Sequence, residues 1–208
     1  MNISVPMSLV GVSISLGDIL SKIFSASGDK DGLSPKDLEF TFKPMNRCKG
    51  LIAFVSMGRG WTSARDAISF HAHGPDEKSR LLLEHVWLVY SPASYENSEK
   101  LRQHAEKLSV NCHMHKLDIS NSIYDLKTIK GELDKIADKA PIEGLDLEDI
   151  AIDITGGTAI ASIAFFLAGL IYRFKIEYLK PNKTDINGQA KIEAGSTPHE
   201  IEIRTRKK

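Results

Sequence analysis

Asp153-Ile154-Thr155-Gly156-Gly157-Thr158 lies between a short apolar run, Ile150-Ala151-Ile152, and a longer one, residues 159–171. The first run has the length of a buried strand and the second that of a helix, so the glycines mark a strand-to-helix turn. Two glycines there let the backbone come close to a ligand. The helix start behind them offers N–H groups and the positive end of a dipole, which favour an anion such as a phosphate. Thr158 is placed to cap the helix, and Thr155 to donate a hydroxyl to the same anion. Taken alone, the segment reads equally well as a plain glycine turn with a threonine cap.

The same unit recurs along the chain. Leu51-Ile52-Ala53-Phe54-Val55-Ser56 is a continuous apolar run ending in Met57-Gly58-Arg59-Gly60-Trp61, before a helical pattern over residues 64–71. Residues 85–90 form a second run, ending in Ser91-Pro92 before a polar helix over about 94–108. A third, residues 110–117, ends in Asp118-Ile119-Ser120-Asn121 before a helix around 124–139, and residues 174–179 make a fifth strand after the Asp153 unit. Strands alternating with helices predict a Rossmann-like α/β fold, a mainly parallel sheet with helices on both faces. Ligands of such sheets bind beyond the carboxyl ends of the strands, near the switch point. The candidate ligand-binding residues therefore come from four loops: Met57, Gly58, Arg59, Gly60 and Trp61; then Ser91; then Ser120 and Asn121; then Asp153, Thr155, Gly156, Gly157 and Thr158.

On the Ser56-Met57-Gly58-Arg59-Gly60 loop and the Asp153-to-Thr158 turn, the stretch from about Gly50 to Pro181 resembles the CRISPR-associated Rossmann fold (CARF) domain. The related sensor domain of other antiphage systems has a similar Thr-Gly-Gly turn, so the resemblance is to a superfamily. It implies a sensor of cyclic oligoadenylates in type III CRISPR defence, with cyclic tetra-adenylate as ligand and no catalytic residue, metal or cofactor. Many relatives carry a lysine or arginine just after this turn. Position 159 here is alanine, so a cation for the ligand is expected from elsewhere, such as Arg59. The ligand is itself symmetric, which suits a homodimer with the ligand on its two-fold axis.

Among the 208 residues, Lys+Arg and Asp+Glu both number 27, so no basic field of the kind long nucleic acids require is present. Cys48 and Cys112 are far apart in sequence and form no disulfide framework, which fits a reducing cytoplasm and simple burial. His71, His73, His113 and His115 suggest metal ligands at first sight, since His113 and His115 share a strand face. No carboxylate or cysteine completes a set at recognisable spacing, so they are expected to be satisfied or solvent-facing. Gly58-x-Gly60 is not a full dinucleotide fingerprint, and no Walker loop, Gly-x-Ser-x-Gly elbow or His-Glu-x-x-His occurs.

Two segments are apolar enough to raise the membrane. Residues 158–172 are uncharged but short, and they belong to the strand–helix pattern, so a buried helix is expected. Residues 1–27 are more ambiguous. Read as a helix they carry one small, polar stripe, Ser4, Ser8, Gly11, Ser15, Asp18, Lys22 and Ser25, on an otherwise apolar surface. Copies packed around a wet centre would place Ser8, Gly11, Ser15, Asp18 and Lys22 along a pore. The same pattern suits a helix docked on the sensor, and the alternation Val10, Val12, Ile14, Leu16 suits a strand. For the membrane option, Lys22, Lys30, Lys36 and Lys43 after the segment put the sensor in the cytoplasm at the inner membrane. Without a span the protein is cytoplasmic.

The expected organisation is an N-terminal apolar helix (1–27), a polar, turn-rich linker (28–46) and a sensor domain (47–208) closed by a C-terminal hairpin around Asn187-Gly188. That strand-like tail argues against a helix-turn-helix. Two functions follow. One is an effector whose ligand-bound dimer drives the membrane helix to permeabilise or depolarise the membrane. The other is a stand-alone, metal-independent ring nuclease that cleaves the messenger.

Overall fold

The computed structural model describes residues 38–58, 61–73, 81–117, 126–186 and 191–205. The N-terminal segment with its Ser8-to-Lys22 stripe lies outside them. In chain order the elements are β1 (Leu38–Pro44), β2 (Gly50–Val55), α1 (Trp61–His73), β3 (His85–Tyr90), α2 (Tyr95–Lys107), β4 (Asn111–Lys116), α3 (Leu126–Lys139), β5 (Ile150–Asp153), α4 (Ala159–Tyr172), β6 (Lys175–Pro181) and β7 (Ser196–Thr205). The chain divides into two compact units, Lys43–Ile201 and Met1–Phe42 with Glu202–Lys208. Within the second of these, the described residues belong to β1 and β7. The site lies wholly in the first.

The strands form one sheet in the order β1-β7-β6-β5-β2-β3-β4. β2 pairs in parallel with β3 on one side and β5 on the other, β4 and β6 extend the parallel part, and β7 runs antiparallel to β6. This is the expected Rossmann-like α/β sheet with helices on both sides. Every residue of β2 is buried, which is why its sequence, GLIAFV, is apolar throughout instead of alternating. β4, at the sheet edge, is only half-buried and reads NCHMHK.

Side chains alternate between two cores. Leu51, Ala53 and Val55 pack with Ala64, Ala67, Ile68 and Ala72 of α1 and Leu101 and Ala105 of α2. The alanines let α1 lie close to the sheet. On the opposite face Phe54 meets Phe165 of α4 edge-on, with ring centroids 5.9 Å apart. α3 buries Ile129, Leu133, Ile136 and Ala137, one stripe at helical spacing, and packs against α4. α4 buries residues all round its first three turns, Ala161 to Gly169. That is the origin of its membrane-like composition, and no helix among the described residues is long and apolar enough to cross a membrane.

One expectation needs correcting. The linker, expected to run to residue 46, already contains a strand from Leu38. The alternation Leu38, Phe40, Phe42 is its sequence signal, masked by the turn-rich residues before it. The tail supplies β7, which pairs antiparallel with β6 from Glu177↔Glu200 to Pro181↔Ser196, so the expected C-terminal hairpin is the β6–β7 pair within the sheet. Asn187 and Gly188 lie outside the described residues.

Candidate functional site

From β2 the chain moves outward through β3 to the edge strand β4, then returns to place β5 on the other side of β2. The switch point of the sheet therefore lies between β2 and β5. In sheets of this kind the loops leaving the two strands flank the ligand crevice at their carboxyl ends. They are the Ser56-Met57-Gly58 loop and the Thr155-Gly156-Gly157-Thr158 turn.

The turn is built against β2. A Cβ on Gly156 would sit 2.6 Å from the carbonyl oxygen of Phe54, so only glycine lets the two backbones approach this closely. Gly157 has φ +92°, and a Cβ there would lie 2.6 Å from Cδ1 of the Phe54 ring. Thr158 is the N-cap of α4, with extended backbone (φ −83°, ψ 164°), and its hydroxyl oxygen accepts from the Ala161 N–H at 3.4 Å. Ser162 donates back to the Gly156 carbonyl at 3.4 Å. The Thr155 hydroxyl oxygen accepts the Leu179 N–H of β6 at 2.7 Å, which fixes the turn to the sheet and leaves the hydroxyl hydrogen to donate. The first turn of α4 adds backbone N–H groups without intrahelical partners, and the dipole's positive end.

Beneath the turn runs a buried polar chain that the sequence pattern conceals. Asp153 points into the α1 side of the core, where its Oδ1 accepts the Thr155 N–H at 2.8 Å. Its register partner on β6 is Glu177. Oε2 of Glu177 lies 2.7 Å from Nε2 of His71 on α1, and all three side chains are fully buried. His71 Nδ1 accepts the Cys48 N–H at 3.0 Å, so the ring proton sits on Nε2 and is donated to Glu177. Asp153 Oδ2 and Glu177 Oε1 have no hydrogen-bond partner among the described residues. Burial, then the neighbouring Glu177 carboxylate, pushes the Asp153 carboxyl up from 3.8 to about 7. Asp153 thus supports the turn from below and does not line the crevice.

On the β2 side, Asn97 in the first turn of α2 holds the loop, its amide donating to the carbonyls of Ser56 (3.1 Å) and Gly58 (3.0 Å). Met57 is 58% exposed and Tyr95, at the start of α2, 50%; both offer apolar surface at this edge. Trp61 is half-buried against the core, with Arg65 and Lys100 over its ring at 5.8 and 5.6 Å. Ser91 is buried and engaged in its own turn: its N–H donates to Ser94 Oγ at 3.0 Å, and the Ser94 hydroxyl donates to its carbonyl at 3.1 Å. Arg59, Gly60, Ser120 and Asn121 lie outside the described residues. Asn97 and Lys100 went unnoticed in the sequence, because only folding brings α2 back over the β2 loop.

The remaining candidates resolve simply. His115 Nδ1 lies 3.2 Å from Oε2 of Glu132. Cys48 is buried and Cys112 half-buried, both are free, and burial pushes each thiol up to about 12.

No protein-family profile and no curated protein matches the chain. Similar solved structures include Can2 from Sulfobacillus thermosulfidooxidans in complex with cyclic tetra-adenylate (17% identity, TM-score 0.46, 62% of this chain and 31% of that one). Protein VC1899 from Vibrio cholerae is similar at 10% identity and TM-score 0.49 over 64% of this chain and 31% of its own. Enterococcus italicus Csm6, bound to cyclic hexa-2′-fluoro-hexa-dAMP, is similar at 12% identity and TM-score 0.48 over 76% of this chain and 43% of its own. The chain thus spans less than half the length of each. Its own geometry defines a mainly parallel α/β sheet with a glycine turn packed against β2 at the switch point.

Proposed function

We propose that this chain senses a cyclic oligoadenylate, cyclic tetra-adenylate being the ligand to test first, as an effector of type III CRISPR defence. The observation that carries the proposal is that the two motif loops leave neighbouring strands at the switch point, with Gly156 tight against the Phe54 carbonyl of β2. The capped start of α4 suits a phosphate, and Met57 and Tyr95 suit a base. Two copies of the chain present these loops to the two halves of a symmetric ring. In the same proposal the N-terminal segment spans the inner membrane, the sensor faces the cytoplasm, and ligand binding alters the packing of the N-terminal helices.

Isothermal titration of the full chain with cyclic tetra-adenylate tests the first part. One ligand per two chains, recovered intact, is the expected result. Absence of binding refutes the sensor, and recovery of linear products replaces the effector with a ring nuclease. Cell fractionation tests the second part, with the protein expected in the membrane pellet.

A further inference from the structure

A second cluster lies at the opposite edge of the sheet. His85 is the first residue of β3, His113 is on β4, and Glu143 is in the turn between α3 and β5. Nδ1 of His85 is 2.9 Å from Nε2 of His113, and Oε2 of Glu143 is 3.2 Å from the former and 3.4 Å from the latter. Two ring nitrogens and a carboxylate oxygen thus lie within 3.4 Å of one another. Zinc–nitrogen and zinc–oxygen bonds of ~2.0–2.2 Å in a tetrahedral site set neighbouring ligand atoms roughly 3.3 Å apart. The two sides to Glu143 already have that size, and the 2.9 Å side between the ring nitrogens, a hydrogen-bond distance, has to open by a few tenths of an ångström.

The rings are held for the purpose. The fully buried Trp87 stacks with both: centroids are 5.7 Å apart for His85 and 5.3 Å for His113, with interplanar angles of 17° and 15°. The two imidazoles lie nearly parallel, with centroids 5.2 Å apart and planes 10° from each other. The His113 and Glu143 side chains keep 29% and 28% of their surface exposed, so an ion can enter and a water can complete its shell. We infer that His85, His113 and Glu143 form a zinc-type metal site with an open fourth position. Two imidazoles favour a borderline transition ion over magnesium or calcium, which prefer all-oxygen shells. A bound ion ties β3, β4 and the turn leading to β5 together.

The sequence pairing of His113 with His115 missed this site because the second histidine comes from the neighbouring strand. The inference is independent of the ligand crevice, and so is its test. The metal-stripped full chain is titrated with zinc chloride alone, with magnesium chloride as control, and its melting temperature is followed with and without zinc. One zinc per chain is expected, with a raised melting temperature and the intense visible absorption of a tetrahedral site when cobalt(II) replaces it. Glu143→Gln and His113→Ala should each weaken binding by about tenfold or more, while His115→Ala leaves it unchanged. Absence of zinc binding by the parent refutes the site. So does parent-like binding by folded Glu143→Gln and His113→Ala proteins, whether the ion sits elsewhere or the trio is only a hydrogen-bonded cluster.

Discussion

Replacing Asp153 with asparagine separates the charge of this side chain from its hydrogen bond. The amide keeps an oxygen for the Thr155 N–H, which Asp153 binds at 2.8 Å, but it cannot ionise beside Glu177. In the folded chain the Asp153 carboxyl titrates at about 7, against 3.8 ordinarily. Between these values the folded protein holds a proton that the unfolded chain releases, so this group's stabilising contribution is complete below pH ~4 and is lost as pH rises through ~7. At ~1.36 kcal/mol per pH unit, the interval from 3.8 to about 7 is worth about 4 kcal/mol for a side chain with no exposed surface. Asparagine suffers no such loss. The difference in unfolding free energy, variant minus parent, should therefore grow by up to about 4 kcal/mol from pH 4 to pH 8. In a domain of this size that is roughly 8–16 °C in melting temperature. Urea unfolding of both proteins across that range measures it; titrating groups remote from Asp153 cancel in the difference, and the coupled carboxylate of Glu177 is read with it. A pH-independent difference, or a variant weaker relative to the parent at pH 8 than at pH 5, would refute the argument.

Four further outcomes are expected. Gly156→Ala puts a methyl group 2.6 Å from the Phe54 carbonyl oxygen, so it should cost about 1–3 kcal/mol of stability by denaturant titration and weaken ligand binding as the turn leaves β2. Asn97→Ala removes both bonds to the β2 loop; binding should weaken, with only about 1 kcal/mol lost from the unfolding free energy. Arg59→Ala should lose about 1.5–3 kcal/mol of cyclic tetra-adenylate binding if Arg59 is the phosphate cation, and parent-like titration would eliminate it. Asp18→Leu should leave that binding intact while abolishing ligand-triggered membrane depolarisation, read with a voltage-sensitive dye; a flat response in the parent removes the pore from consideration.

The fold was legible because the central strands are buried on both faces and so read as apolar runs separated by glycine turns. β2 and β5 announced themselves this way, and their loops marked the crevice. β1 escaped because its alternation follows a polar, turn-rich stretch. The polar chain beneath the site escaped for a different reason. Glu177 and His71 are residue types that ordinarily face water, and nothing in their spacing says that Asp153 and Glu177 are register partners. Asp153 itself was noticed, but a four-residue strand buried on both faces does not tell which face a carboxylate takes. His85, His113 and Glu143 meet only through the β3–β4 pairing and the turn before β5.

The pairing of Gly50 with Ile150 has a consequence for how the molecule forms. The two strands that flank the crevice are separated by the whole of α1 to α3, so their meeting closes a long loop of chain. The units β2–α1–β3 and β5–α4–β6 join near neighbours and can condense early, whereas the β2–β5 closure carries the larger entropic cost and is expected to come late. During synthesis the chain has no crevice until β5 and the start of α4 have left the ribosome. The ligand proposed for this place would stabilise only the completed sheet, and could not rescue a chain cut short before Asp153.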